Sequence, residues 1–442
     1  MLSIKGKTSV KKVFMNIFLL VNTFVWYFFA FTVLRKLIES AELSGNLSSF
    51  ETSIIWILNF GGAAVFALSS TKIAGLFKKR VLFIYIWLFI GFLSSLTPIF
   101  MNVTPLNLSL ISFLHGVSFG LGMPICMEYF AEATKIENRG RIGGICFFVI
   151  ALGVLSFSIV AMGNLLVESL VSAAWRGFAL IALFFIKPSD KPSEKGNVPS
   201  YISIFNNRAV LLYIIPWWMF CLVNYTSIPI MNKFFGEDFV RFSSIAESVL
   251  MSIFAVVAGY LADAFGRKRV AIAGFAMLGL GYAVLGIFPR NPFSWYFYTI
   301  VDGIAWGIFY VIFLIVLWGD LAYDAPSGNF YALGGLPFLL SNFLRIVIGS
   351  FIGEDITVYT IFSLASFFLF LAVLPLVYAP ETLPEKTMRN RELKNYIEKA
   401  QKEATKAQKK AAENTPKENA DAEAESKGED FEEKLKEAEK YY

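Results

Sequence analysis

Long apolar stretches separated by short polar ones run through most of the chain. A bilayer core about 30 Å thick needs roughly 20 mostly apolar residues per helix, and stretches of about this length recur along the sequence. They are 13–34, 51–70, 81–101, 106–131, 142–163, 166–186, 209–231, 240–262, 270–288, 294–318, 330–352 and 356–378. Backbone polar groups in hydrocarbon must be paired within the segment, so each stretch predicts a helix. The pattern predicts an all-α, polytopic membrane protein with twelve transmembrane helices.

Composition supports this prediction and narrows the function. The chain has 442 residues, of which 56% are hydrophobic and only 17% charged, and its last 62 residues hold 30 of its 73 charges. A soluble domain is about 25% charged, so a water-soluble fold is excluded. The net charge of +5 gives no basic field for nucleic acid. One histidine and three apolar cysteines, Cys126, Cys146 and Cys221, lack metal-ligand spacing, so we expect no metal, no cofactor and no enzyme activity.

The distribution of lysine and arginine predicts the orientation in the membrane. One set of loops, together with the N-terminus, holds 18 basic residues before the tail is counted, whereas the alternate loops hold five. Basic residues in short loops favour the cytoplasmic side. We therefore expect a multi-pass protein of the cell (plasma) membrane with both termini in the cytoplasm.

Three correspondences at nearly one offset reveal an internal repeat. The segment around Arg80 matches that around Arg269, His115-Gly116 matches Asp302-Gly303, and Glu132 matches Asp320, at offsets between 187 and 189. The repeat predicts two pseudo-symmetric six-helix bundles. The predicted regions are a cytoplasmic N-terminus 1–12, an N-terminal bundle 13–186, a linker 187–208, a C-terminal bundle 209–380 and a charged tail 381–442, partly helical or disordered. Transporters with such repeats bind substrate between the halves, near mid-membrane.

Several motifs resemble those of the major facilitator superfamily. Gly259-Tyr260-Leu261-Ala262-Asp263-Ala264-Phe265-Gly266-Arg267-Lys268-Arg269 is similar to its loop signature G-x-L-A-D-x-x-G-R-R/K-x. Tyr129-Phe130-Ala131-Glu132 with Arg139-Gly140-Arg141, the pair Trp175-Arg176 and Pro380-Glu381-Thr382 resemble further patterns of that family. The resemblance implies its twelve-helix fold, transport across a membrane, and a loop cluster that stabilises the outward-facing state.

The same motifs supply a predicted gating set. It comprises Gly259, Asp263, Gly266, Arg267, Arg269, Glu132 and Arg139. Asp263 is expected to pair with Arg267 or to lie at the positive N-terminus of a neighbouring helix. The first half has Ala74 and Phe77 where the second has Asp263 and Gly266. We therefore expect the second half to provide the latch.

Ionisable groups inside spans are costly and mark candidate functional sites. The candidates for binding substrate or protons are His115, Asp302, Glu247 and Arg345, with Arg176 near the middle of the sixth span. His115 and Asp302 are symmetry mates on spans that line the central cavity in the resembling family, and either could carry a coupling proton. Alternatively, His115 donates to a neighbouring carbonyl and Asp302 pairs with Arg345. Arg176 either faces a wet interior, or its helix begins near Trp175 and is short.

Amide and aromatic side chains suggest the remaining lining of the cavity. The candidates are Trp26, Tyr27, Asn59, Trp217, Asn224 and Tyr225, which Asn22 and Trp218 could join. Such groups bind hydroxyl-rich or neutral ligands by hydrogen bonding and ring stacking. The alternative is that these aromatic rings face lipid or the membrane interface.

These observations predict a secondary active transporter of a small organic solute, a sugar or another metabolite. We expect alternating access, with proton-coupled symport as the mechanism, in a monomer embedded in the lipid bilayer. One alternative is a facilitative uniporter. Another is a transport-deficient membrane receptor that signals through the tail 381–442. Ser112 occupies the place of a buried arginine that is common in proton-driven members of the family, so the coupling ion stays open.

Overall fold

A computed structural model describes residues 10–77, 79–161, 163–186, 198–223, 227–323, 325–349, 357–383 and 405–406. These residues contain twelve long helices in the order of the twelve predicted spans. They are α1 (Val10–Leu43), α2 (Ser49–Gly75), α3 (Arg80–Phe100), α4 (Pro105–Ala133), α5 (Ile136–Ala161), α6 (Leu165–Phe185), α7 (Arg208–Val223), α8 (Ser227–Phe265), α9 (Arg267–Ile287), α10 (Pro292–Leu321), α11 (Gly328–Gly349) and α12 (Val358–Tyr378). The chain divides into one unit of residues 1–383 and a second unit of residues 384–442. The prediction for the linker falls largely on residues outside the described ones.

Ten of these helices are long and apolar enough to cross a membrane, and α7 is a shorter apolar helix of 16 residues. The predicted all-α, multi-pass architecture is therefore confirmed. α8 begins at Ser227, inside the predicted seventh span 209–231, and not near residue 240, where the eighth span was predicted to begin. Gly236, at φ 78°, kinks α8 after its first residues, and this backbone conformation favours glycine.

The two halves pack their helices in the same way. In the first half α2 packs on α4 and α3 on α6, and in the second half α8 packs on α10 and α9 on α12. Gly116 of α4 and Gly303 of α10 are matching positions of the repeat. A side chain on Gly116 would collide with the backbone of Asn59, and one on Gly303 would meet that of Glu247, 188 residues further along. The sequence repeat is therefore also a repeat of packing.

The two most extensive helix pairs between the halves are α5 with α8 and α2 with α11. In the six-helix repeat, α5 corresponds to α11 and α8 corresponds to α2. The two pairs are therefore equivalent contacts, as a two-fold repeat requires. At the α5–α8 crossing, Gly140 and Gly144 face Gly259 and Ala255 so closely that a methyl group on any of the three glycines would collide with the opposite backbone. The predicted role of Gly259 in close helix approach is thus seen directly in the structure.

One face of the helix array is defined by the connections from α2 to α3, α4 to α5, α8 to α9 and α10 to α11 and by the segment 379–383. We call it the basic face, and we call the side with turns 44–48, 101–104 and 288–291 the outer face. A five-residue helix, Tyr201–Phe205, lies at the basic face. The Tyr201 hydroxyl donates to the carbonyl of Leu68 at 2.6 Å. Burial raises the pKa of Tyr201 to about 12, so this donor keeps its proton at physiological pH.

Candidate functional site

Asp263, at the end of α8, binds the start of α5 across the two halves. Its carboxylate accepts hydrogen bonds from the backbone amides of Gly140 and Arg141, both at 2.9 Å. It also forms ion pairs with Arg141 at 3.1 Å and with Arg267 at 2.8 Å. Both partners expected for Asp263, a guanidinium and a helix N-terminal region, are present together. Asp263 is almost fully buried, so these charge-assisted bonds are shielded from water.

Asp320, at the end of α10, holds two buried arginines from different helices. Its carboxylate lies 2.5 Å from Arg139 of α5 and 3.1 Å from Arg267 of α9. Arg267 also donates to the carbonyl of Ile136 on α5 at 2.6 Å. Asp263, Asp320, Arg139, Arg141 and Arg267 thus form one network across the halves at the basic face. We call these five residues the latch.

Three further predicted gating residues, Gly266, Arg269 and Glu132, are not part of the latch. Gly266 has φ 101°, which an L-residue rarely adopts, and it begins α9 directly against the carboxylate of Glu381. Glu381 accepts from the amides of Arg267 and Lys268 at 2.8 and 3.2 Å, so it caps α9. Arg269 is exposed, away from the latch, and Glu132 interacts with Arg80 of the first half.

The first half contributes a weaker contact between the halves at this face. Thr71 of α2 forms a side-chain hydrogen bond with Asn329 of α11. The ion pair of Arg80 with Glu128, at 2.9 Å, stays within the first half. Among the described residues, the ion pairs between the halves are all found in the latch, as the degraded first-half motif predicts.

A cleft of about 1220 Å³ lies between α1 and α5 of one half and α8 of the other. Its charged lining residues are at the outer end: Arg35 and Glu39 on α1, and Glu237 and Arg241 on α8. The charged end of the cleft is therefore the end nearest the outer face. Its walls are otherwise apolar or carry hydroxyl and amide groups, which suits a ligand that is largely uncharged.

An aromatic floor separates the cleft from the latch. Tyr310 of α10 stacks on Phe147 of α5 with ring centroids 4.5 Å apart, and contacts Phe28 of α1 and Phe338 of α11. Tyr310 begins a π-helical turn, Tyr310–Val316. Such turns are rare and frequently occur at functional sites. The floor and the latch together close the space between the halves on the side of the basic face.

Most of the residues that line the cleft are not among the candidates predicted from the sequence. Ser244, Ser248 and Ser252 recur every four residues along α8 and form a hydroxyl stripe on its wall. The hydroxyl of Ser248 donates to the carbonyl of Ser244, and that of Ser252 to the carbonyl of Ser248, which leaves their oxygen lone pairs to accept from a ligand. Their helical spacing within an apolar span was a signal that could have revealed them.

Asp302 lies inside the second half, next to the wall of the cleft. It is buried and interacts with the hydroxyl of Tyr298 and with the carboxylate of Glu247. The Tyr298 hydroxyl lies 3.1 Å from the hydroxyls of both Ser227 and Tyr282. Glu247 stands between Ser244 and Ser248 in the sequence of α8, so the acid pair and the serine stripe share one helix.

His115 lies inside the first half and does not share a site with Asp302. Its Nε2 lies 3.1 Å from the carbonyl oxygen of Ser94, and its ring packs edge-on against Trp26. A carbonyl can only accept, so Nε2 carries the proton. The alternative in which His115 donates to a neighbouring carbonyl therefore describes the observed geometry.

Four further candidates pack within a single half. The Trp26 indole donates to Ser95, and Tyr27 stacks on Phe119. Asn59 donates to the carbonyl of Ser112, and Trp217 donates to the carbonyl of Gly334. None of these four is among the residues that line the cleft. Whether any of them binds substrate stays a prediction.

Three candidates lie outside the description. Asn224 and Tyr225 fall within the undescribed residues 224–226, and the side chain of Arg345 is likewise outside the described part. Arg176 is described, and α6 runs its full length through it. The alternative in which this helix begins near Trp175 is therefore wrong, because α6 begins at Leu165. The Arg176 side chain is fully buried inside the first half.

The fold resembles solved membrane transporters. One similar structure is the proton:xylose symporter XylE bound to 6-bromo-6-deoxy-D-glucose, described as a member of the major facilitator superfamily. It matches with a TM-score of 0.64 and 17% identity, over 84% of this chain and 96% of that chain. A double-tryptophan variant of XylE matches with a TM-score of 0.65, 17% identity, and coverage of 86% and 98%. The human organic anion transporter MFSD10 (TETRAN) matches with a TM-score of 0.62, 13% identity, and coverage of 83% and 99%.

A scan against protein-family models and a search of curated proteins find no match. The structural likeness, however, extends over more than four fifths of the chain. It agrees with the loop signature around Asp263 and with the repeat of helix packing. The chain is thus a multi-pass membrane protein with the fold of the major facilitator superfamily.

Proposed function

We propose that this protein is a secondary active transporter that moves a small organic solute across the plasma membrane by alternating access. The observation that carries the proposal is the cleft between the halves, whose charged end lies nearest the outer face, while the floor and the latch lie on the side of the basic face. This arrangement corresponds to an outward-facing state. With the basic face in the cytoplasm, the solute enters the cleft from outside, and rocking of the halves opens the other side.

The lining of the cleft favours an uncharged solute, because the charged side chains are at one end of the cleft and its middle is uncharged. Aromatic rings at Phe28, Phe147 and Tyr310 offer stacking surfaces, and the serine stripe of α8 offers hydrogen bonds. Charged residues are found at the mouth, far from the floor. A sugar or a comparably polar, uncharged metabolite fits this combination.

Proton coupling is supported by the acid pair Asp302 and Glu247. Two neighbouring carboxylates repel each other when both are charged, and binding of a proton relieves that repulsion. Glu247 shares α8 with the serine stripe and with Asp263 of the latch. A change of charge at the acid pair can therefore alter both the cleft wall and the helix that carries the latch. We propose symport, in which proton and solute bind to the same outward-facing state.

Uptake into proteoliposomes tests this function. D-xylose, neutral amino acids, carboxylates and organic cations are first screened for stabilisation of the purified protein, because a ligand of the folded state raises its melting temperature. The radiolabelled hit is then offered to proteoliposomes with an inward proton gradient. We expect accumulation above equilibrium that an uncoupler collapses. Equilibration without accumulation would favour the uniporter, and no flux for any stabilising ligand would contradict transport.

A further inference from the structure

The interior of the first half contains a buried cation that has no counter-charge among the described residues. Arg176 of α6 is fully buried, and no ion pair joins it to a carboxylate of the described residues. Its guanidinium lies over the ring of Trp26 at 4.2 Å and over that of Trp87 at 5.1 Å. The negative faces of two indoles attract the cation but leave its N–H donors unused. The site therefore retains a positive charge and free donors.

The free donors of Arg176 lie on one edge. Nη1 donates to the side-chain oxygen of Asn22 at 3.0 Å. Asn22 is fixed in that orientation, because its amide nitrogen donates to the carbonyl of Trp175. Within the described residues, Nε and Nη2 have no hydrogen-bond partner. These two atoms share the edge of the guanidinium that binds a carboxylate or another planar oxyanion through two parallel hydrogen bonds.

Other unpartnered groups converge on this edge. The hydroxyl of Ser118 on α4 is buried and has no partner in the described part of the chain. This hydroxyl and Arg176 Nε each lie 2.8 Å from the position that a Cβ would take on Gly91. Arg176 and Ser118 therefore pack beside each other against Gly91, whose lack of a side chain permits this close approach. The Nδ1 atom of His115, three residues before Ser118 on α4, is also buried without a described partner, but with the ring proton on Nε2 it is an acceptor and adds no donor for an anion.

A row of hydroxyls on α6 leads from the outer face to Arg176. Ser169 and Ser172 are buried on the same side of the helix as Arg176, and neither hydroxyl has a partner among the described residues. The row begins beside Glu168, which pairs with the half-exposed Lys36. It covers about 10 Å along the helix axis. Buried polar groups without protein partners usually hold water or an ion, so this row is a polar route to Arg176.

We propose that Arg176, Ser118 and Asn22 form a binding site for a small planar oxyanion inside the N-terminal bundle, reached along the α6 hydroxyls. The anion neutralises the guanidinium and accepts from Nε and Nη2, with Ser118 as a further donor. The surrounding rings of Trp26 and Trp87 restrict the ligand to the size of formate or nitrate. The site is separate from the cleft, so it does not depend on the proposed solute transport.

Melting temperatures in matched salts test the site. The full-length protein is unfolded in sodium formate, nitrate, chloride and gluconate at equal ionic strength. Gluconate is too large for the site and serves as the reference. We expect formate and nitrate to raise the melting temperature by about 2–4 °C over gluconate, and chloride, which cannot accept in the two-bond geometry, to raise it less.

Variants assign the effect to the residues. Arg176→Met and Ser118→Ala should abolish or weaken the oxyanion effect, whereas Arg290→Met, at an exposed arginine, should retain it. Arg176→Lys keeps the charge but loses the two-bond edge, so it should retain a small effect without preference for oxyanions. If Arg176→Met does not fold, Ser118→Ala and Arg176→Lys decide the question. Equal melting temperatures of the parent protein in all four salts, or an oxyanion effect that survives Arg176→Lys and Ser118→Ala unchanged, would overturn the proposal.

Discussion

Replacing Asp320 with asparagine should destabilise the protein by about 3–5 kcal/mol, the usual loss when one partner of a buried ion pair is removed. Asp320 is the shared carboxylate of Arg139 and Arg267, and all three side chains are almost fully excluded from water. Asparagine keeps the size but removes the charge, so Arg139 remains buried without its carboxylate and Arg267 keeps only that of Asp263. The effect is measured by equilibrium unfolding of the purified variant beside the parent protein.

Asp238→Asn provides the matched control for this prediction. Asp238 is exposed near the start of α8, so the same change of charge there should cost less than about 0.5 kcal/mol. A double variant with Arg139→Met tests the pairing itself. Because Asp320 and Arg139 are in direct contact, the two losses should not add. An Asp320→Asn variant as stable as Asp238→Asn would refute the assignment of Asp320 as the centre of the latch.

Replacing Asp302 with asparagine should abolish accumulation driven by a proton gradient while counterflow of the solute continues. Asparagine can keep the hydrogen bond with Tyr298 but cannot bind and release a proton near neutral pH. Exchange of solute requires the halves to rock but requires no net proton movement. Both activities are measured in proteoliposomes with the ligand found by thermal stabilisation, and Asp238→Asn again serves as the control.

The Glu247→Gln variant distinguishes two possibilities, that Asp302 and Glu247 hold the coupling proton together or that Asp302 holds it alone. If the two acids hold the coupling proton together, this variant should also impair accumulation, and its loss should not add to that of Asp302→Asn. Unimpaired accumulation in Asp302→Asn would contradict the proposed proton site. Loss of counterflow together with accumulation in that variant would assign Asp302 to folding or to solute binding instead.

The sequence predicts the fold well because its signals are local and strong. The length of each apolar stretch is dictated by the bilayer, and the glycines at 116 and 303 reveal the repeat because close helix packing requires them at equivalent positions. The loop signature around Asp263 identifies the latch for a similar reason. Its charges are buried at a helix crossing, which limits the residues that can fill each place.

The cleft is harder to predict, because its lining depends on how far two helices diverge. The serine spacing on α8 is one usable signal, but the residue type of Phe147 does not distinguish a side chain facing the cleft from one facing lipid. His115 and Asp302 illustrate the same difficulty, since equal positions in the repeat do not imply one shared cavity. His115 turns toward Ser94 and Trp26 in its own half, and Asp302 turns toward Tyr298 and Glu247. The position of Asp320 at the centre of the latch likewise depends on Arg139, which is 181 residues away in the chain.

Distances between spin labels can show whether opening of the latch closes the cleft. One pair is placed at Ser158 and Ser244, exposed residues that face each other across the cleft on α5 and α8. A second pair is placed at Asn138 and Arg269 on the basic face. The three native cysteines are buried, so labels attach at the introduced sites. The comparison is between the otherwise native protein and the same protein with Asp263→Asn.

Pulsed electron–electron double resonance on these two pairs tests whether the two halves rock about the cleft and are held by the latch. Asp263→Asn removes the charge that binds Arg141 and Arg267, so the outward-facing state loses stability. We expect a shorter distance to appear at the outer pair and a longer distance at the basic-face pair, in the same proportion of molecules. Unchanged distributions at both pairs, or movement of one pair without the other, would contradict it.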